Sequence, residues 1–293
     1  MTERAEQSHA QGITRTSEAI SSRKLPVPGA TWRFAAAAMA GTSHLQKSLP
    51  CQDAFRCDVA AGPSGQVLIS VVSDGAGSAS EGAAGAAYIC DELVQQVQRR
   101  LPDLTSTTAA DLLKKCVSRT REGLLSEADS LGLPARELAA TLLCAVLSEH
   151  WSAFAQIGDG AIVTPESGTD TWAWLFWPQR GEYANTTSFL TDRTAMEELQ
   201  VDTLANAQHE VAIFTDGLQH LVLHYEDQTV HSPFFERMMR PVRQSTADGE
   251  DPELNAALAK YLGSPTVTSR ADDDLTLVMA SRVVEGSDVV AIS

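Results

Sequence analysis

Val67-Leu68-Ile69-Ser70-Val71-Val72-Ser73-Asp74-Gly75-Ala76-Gly77-Ser78 is the stretch around which this chain is organised. Its apolar, β-branched run reads as a buried strand. The run ends in Asp74, with glycines at 75 and 77. A helical pattern then starts near Ser80 and continues through Ala83, Ala87, Leu93 and Val97. A strand that delivers a carboxylate to its end, beside a glycine that lets backbone come close, suits the grip on a cation. Asp-Gly is also ordinary turn chemistry. Two later stretches resemble the first: Val211-Ala212-Ile213-Phe214-Thr215-Asp216-Gly217 and Ala271-Asp272-Asp273-Asp274-Leu275-Thr276-Leu277-Val278.

Working outward, strands are expected from Trp32 to Met39, after Pro50-Cys51-Gln52-Asp53-Ala54-Phe55, and from Val67 to Ser73. A turn is expected at Gly41-Thr42-Ser43-His44. Gly62-Pro63-Ser64-Gly65 reads as a hairpin loop. Residues 80–100 form an amphipathic helix that Pro102 breaks, and Thr107 or Thr108 caps a second helix over 109–130. Strands return at 140–147 and 151–157, and Gly158-Asp159-Gly160 reads as a hairpin into Ala161-Ile162-Val163. Trp172 to Trp177 alternates, with Trp172, Trp174 and Phe176 expected on one face. The segment 178–208 reads as a polar loop with a short strand at 187–190. A strand at 211–215, a helix through Leu218 and Val222, helices at 232–240 and 252–262, and a closing strand at 275–280 complete the pattern. Short loops between strands predict largely antiparallel sheets, and two blocks of helices predict covers on separate faces.

The remaining 1–29 are polar and end in Pro26-Val27-Pro28-Gly29, the composition of a disordered tail. Residues 285–293 read as a short C-terminal tail. The 293-residue chain is 43% hydrophobic, enough for a sizeable core. Its formal charge of −16 disfavours nucleic acid and anionic membrane as partners. The first thirty residues lack an apolar signal region. Five scattered cysteines without metal-finger spacing fit reduced thiols in a cytoplasmic protein.

Asp53 precedes a strand, Asp74 and Asp216 end strands, and Asp273 precedes the last strand. Such strand ends can converge on one rim. Carboxylates gathered there repel one another unless a divalent cation neutralises them. Oxygen-only ligation points to Mg²⁺ or Mn²⁺ rather than zinc. Two such ions about 4 Å apart can activate water and polarise a phosphoryl group. For Asp159 the expected hairpin turn is a sufficient explanation.

The order Gln52-Asp53, Ser73-Asp74-Gly75-Ala76-Gly77, Ala140-Thr141-Leu142, Ile157-Gly158-Asp159-Gly160, Thr215-Asp216-Gly217-Leu218 and Asp273-Asp274-Leu275-Thr276 resembles the metal-dependent, type 2C-like serine/threonine protein phosphatases. The resemblance spans residues 31–283. It implies an α+β fold, a four-layer α-β-β-α sandwich over residues 30–284, with two Mn²⁺ or Mg²⁺ ions at one rim. It implies that Asp74 bridges both ions, that the Gly75 carbonyl binds one, and that Asp216 and Asp273 complete the other site. Asp53 then holds metal-bound water, and Asp159 matches a residue that some members use with Asp216 for a third, weaker ion. The implied reaction is in-line attack of the bridging hydroxide on the phosphorus of a phosphorylated protein, opposite a serine/threonine kinase.

Two departures from that pattern stand out. Many relatives have His after the first Asp-Gly as leaving-group acid, and here the residue is Ala76. Many have an Arg before the first acidic pair to bind phosphate, and this chain has Gly41-Thr42-Ser43-His44-Leu45-Gln46-Lys47. His44 and Lys47 are the substitutes in reach, although Lys is a point charge where Arg is bidentate. The competing readings are a catalytically weak regulatory or binding module on the same fold, and a hydrolase of small phosphoesters.

Overall fold

The computed structural model describes residues 30–179 and 187–284; of Ala30 and Val284 it describes the backbone alone. The tails expected at 1–29 and 285–293 lie outside those residues. In chain order the elements are β1 (Ala30–Met39), α1 (Thr42–Gln46), β2 (Ala54–Gly62), β3 (Gly65–Ser73), α2 (Gly82–Arg100), α3 (Ala109–Ser130), β4 (Leu142–Leu147), β5 (Ser152–Ile157), β6 (Ala161–Pro165), β7 (Trp172–Trp174), α4 (Ala195–Glu198), β8 (Gln200–Leu204), β9 (Glu210–Phe214), α5 (Gln219–Val222), β10 (Leu223–His224), β11 (Thr229–Val230), α6 (Ser232–Gln244), β12 (Gly249–Glu250), α7 (Pro252–Leu262), α8 (Pro265–Thr268) and β13 (Leu275–Val284).

Two sheets carry the fold, in the orders β12-β1-β13-β9-β6-β7 and β2-β3-β4-β5-β8. All neighbours pair antiparallel except β1 with the two-residue β12. β3 is buried on both faces from Val67 onward, which is why its run is mostly apolar. Val67, Ile69 and Val71 pack under α2 and α3, while Leu68 and Val72 face the other sheet. On the first sheet, Ala212 and Phe214 of β9 pack under α6, α7 and α8, and Val211 and Ile213 fill the layer between the sheets. The helix-sheet-sheet-helix stack predicted from the resemblance is therefore the observed one. The alanines of β1 form a strand rather than a helix because they sit between the sheets and α7. Asn255 of α7 accepts the Ala36 amide at 2.8 Å.

Several expected elements change. The turn at 41–44 is the short helix α1. Thr108 stands at the N-cap of α3, but its hydroxyl bonds the Asp103 carbonyl instead of the helix. The segment 187–190 is no strand: 187–189 are irregular and lead into a turn that starts at buried Leu190, with the Phe189 amide bonded to the Asp192 carboxylate. The strand of this region is β8, an edge strand half-exposed on both faces, which weakens its alternation. β7 stops at Trp174, so Phe176 turns between the sheets while Trp172 and Trp174 stay under the helices.

The largest departure concerns Gly158-Asp159-Gly160. It is no hairpin: β5 and β6 belong to different sheets, and the three residues carry the chain between them. Gly158 has φ +104°, and a Cβ on Gly160 would meet Leu143 Cδ1 at 2.4 Å and the Phe214 carbonyl at 2.8 Å. Gln156 donates to both glycine carbonyls, and Gln179 accepts the Gly158 amide at 2.7 Å.

Candidate metal centre

The rim where the two sheets meet is built from strand ends. Asp74 follows β3, and its position is fixed by Thr141, which immediately precedes β4 of the same sheet. The Thr141 hydroxyl accepts the Asp74 amide at 2.9 Å, and the Thr141 amide donates to the Asp74 carbonyl at 2.8 Å. Gly75 then passes so close to other backbone that a Cβ would lie 2.5 Å from the Gly82 carbonyl group and 2.7 Å from the Gln52 oxygen. Only glycine fits there without moving main chain.

From the first sheet, β9 delivers Asp216 into a 3₁₀ turn, Asp216–Leu218. The crossing between sheets delivers Asp159. Carboxylate oxygens of Asp74, Asp159 and Asp216 all lie within 4.8 Å of one another. Asp53 comes from the approach to β2, and its Oδ2 accepts the Thr215 and Thr276 hydroxyls, each at 2.8 Å. Asp273 stands exposed before β13 and adds its field to Asp74, Asp159 and Asp216.

Electrostatics shows what such a gathering demands. Burial pushes the Asp53 carboxyl up to about 7, against the pull of the Thr276 and Thr215 hydroxyls. Burial raises Asp216 to about 7 as well, with Asp159 and Asp273 repelling its charge. Asp74 is driven well above the ordinary carboxylate range by burial, then by Asp53, Asp216, Asp159 and Asp273. Burial also raises Asp159. A divalent cation removes this conflict. The donor set fits one: it is all oxygen, and Asp53 Oδ1 and Asp216 Oδ1 are buried without a hydrogen-bond partner among the described residues. Asp159, for which a turn alone sufficed in the sequence, belongs to the cluster.

Asp274 is different. Its Oδ1 accepts the Gly41 amide at 2.7 Å and faces His44 Nδ1 at 2.6 Å, and its Oδ2 accepts the Gln52 amide at 2.6 Å. These bonds occupy a carboxylate that is 2% exposed, so it braces the loops around the rim. His44 is drawn inward by this contact and is 7% exposed. Lys47 is solvent-exposed on the residue that ends α1. Ala76 is buried against Ala79, Ala139 and Phe189. Thr141, Thr215, Thr276 and Asp274 hold the acidic residues in place, and sequence reasoning gave them no role. Their signal was position: each lies at a strand end within two residues of a carboxylate, or across the sheet from one.

Residues 40–263 match the model of the protein phosphatase 2C family. Serine/threonine-protein phosphatase 3 of Escherichia coli K12 is 37% identical over 253 residues, which covers 85% of this chain and 98% of that protein. The fold is also that of the catalytic domain of the serine/threonine protein phosphatase PstP, solved with two manganese ions (TM-score 0.55, 16% identity, 87% of this chain and 99% of that one). PppA, a regulatory component of the type VI secretion system in Pseudomonas aeruginosa, is similar (TM-score 0.57, 18% identity, 87% and 100% covered). With the acidic rim, the two-sheet sandwich and these likenesses together, the chain belongs to the protein phosphatase 2C family.

Proposed function

We propose that Asp74, the Gly75 carbonyl, Asp216 and Asp273 hold two Mn²⁺ or Mg²⁺ ions, and that Asp159 with Asp216 forms a weaker third position. The observation that carries this is the gathering of Asp74, Asp159 and Asp216 oxygens within 4.8 Å, beside oxygens of Asp53 and Asp216 that have no hydrogen-bond partner among the described residues. As a member of its family the chain is a metal-dependent protein phosphatase. When bound, the ions supply the hydroxide nucleophile and neutralise charge on the phosphoryl oxygens. Thr215 and Thr276 fix the Asp53 carboxylate, leaving Oδ1 to orient water. Thr141 and Gly75 keep the Asp74 strand end rigid, so the carboxylate needs no rearrangement on loading.

The substrate is phosphoserine or phosphothreonine on a protein, supported by the 37% identical phosphatase from Escherichia coli. A serine/threonine kinase is the class of enzyme that makes such a substrate. Residues 30–284 form the folded unit. Five free thiols suit the reducing cytoplasm. No helix among the described residues is long and apolar enough to cross a membrane. The test is release of phosphate from a phosphothreonine peptide with and without Mn²⁺. Turnover that survives removal of all divalent metal sinks the proposal.

A further inference from the structure

On the helical cover of the first sheet lies a groove of ≈ 510 Å³. Its apolar wall is Phe234 and Met238 of α6 with Tyr261 of α7; the Phe234 and Tyr261 rings sit 6.4 Å apart. Its polar rim is His231, Arg237 and Arg270. Arg237 and Arg270 are exposed, and neither guanidinium has a carboxylate partner among the described residues. Arg243, on the same helix α6, shows the contrast. It is saturated by Glu210 at 2.5 and 2.6 Å and by Glu236 at 2.7 and 3.0 Å. The chain has 22 Lys and Arg against 38 Asp and Glu, so two guanidinium groups without a carboxylate partner among the described residues, set around one apolar groove, depart from its acidic balance.

We propose that this groove docks an acidic segment of the phosphoprotein substrate that carries an apolar anchor side chain. The inference rests on the phosphatase reading and names what that site selects. Placement supports it. Arg270 is three residues before Asp273, a span of at most about 11 Å. The lining also includes Leu221 of α5, which continues directly from the turn that carries Asp216. A segment seated in the groove thus lies a few residues along the substrate from the phosphorylated side chain. The anchor packs between Phe234 and Met238, and acidic side chains pair with Arg237 and Arg270. The rest of the acidic surface repels the same segment, which adds discrimination.

The experiment uses the full chain and fluorescein-labelled peptides without phosphate: one with Asp and Glu around a Leu, one with Lys in place of the acids. Anisotropy should show the acidic peptide binding at least tenfold more weakly to the R237A/R270A double variant than to wild type. The R237E/R270E variant should reverse the preference and bind the Lys peptide, a gain that misfolding cannot imitate. Equal binding of both peptides to wild type, or unchanged affinity in the double variant, overturns the proposal. In turnover, the double variant should lose about tenfold in kcat/KM on an acidic phosphothreonine peptide, through KM, while keeping its rate on a small aryl phosphate. If wild type with Mn²⁺ releases phosphate from neither the phosphothreonine peptide nor the aryl phosphate, the phosphatase reading fails, and anisotropy still decides the groove.

Discussion

His44 Nδ1 lies 2.6 Å from Asp274 Oδ1, so helix α1 is fastened to the residue beside Asp273. The contact directs the imidazole inward, toward a structural role. Replacing His44 by Ala should cost about 1–3 kcal/mol, because a buried acceptor loses a partner. Urea unfolding measures this. Activity of the folded variant should fall less than the roughly 10²–10⁴-fold expected on removal of a general acid. A loss in that range would return His44 to the role of leaving-group acid.

Asp74→Asn should abolish metal-dependent turnover while raising the melting temperature of the ion-free protein. Asp74 suffers the repulsion of four other carboxylates, and the amide relieves it. For a domain of this size the gain is about 2–4 °C per kcal/mol relieved. Scanning fluorimetry in chelator, beside a phosphate-release assay, checks both arms. A fall in melting temperature would mean that the carboxylate is stabilised without an ion.

Acidity should act on the ion-free and loaded protein in opposite senses. Asp53 and Asp216 sit at about 7 when folded, above the unfolded carboxylate value near 4. The folded state therefore binds more protons between those values. Its stability from these groups is present at the acidic end and is lost as pH rises through 7. Mn²⁺ must displace those protons, so its affinity should weaken as pH falls below 7. Melting curves from pH 5 to 8, with chelator or with Mn²⁺, should diverge as pH rises. Parallel curves would contradict the coupling.

Gly75→Ala should be more harmful than a surface glycine change. The new Cβ would sit 2.5 Å from the Gly82 carbonyl group and 2.7 Å from the Gln52 oxygen, both main chain. A loss of about 1–3 kcal/mol is expected, the usual cost of forcing extra atoms into a packed site. Mn²⁺ affinity should drop with it. Gly132→Ala is a useful comparison, since no atom lies within 4 Å of a Cβ there, although its φ of +68° adds backbone strain. Isothermal titration and urea midpoints on the pair settle the matter.

The strands that carry acids were legible because runs such as 67–73 and 211–214 are buried on both faces, mostly apolar, and followed within two residues by Asp. Asp159 was harder to read. Two strands joined by Gly-Asp-Gly look local in sequence, yet β5 and β6 pair with other strands, and nothing in three residues reveals a change of sheet. Asp274 was hidden for a related reason. Its partners Gly41, His44 and Gln52 are more than 220 residues away, and two of the bonds come from main-chain amides that every residue possesses. β8 escaped because an edge strand wet on both sides has little hydrophobic rhythm.

Ala30 and Val284 are paired neighbours in the first sheet, whereas Met39 and Leu275 pair at the other end of the same two strands, next to the acidic rim. The described ends of β1 and β13 thus lie side by side, about 5 Å apart as antiparallel partners, a strand's length from the acidic rim. In a permuted chain, a few residues joining 284 to 30 would place that join at the end of the sheet opposite the acidic rim.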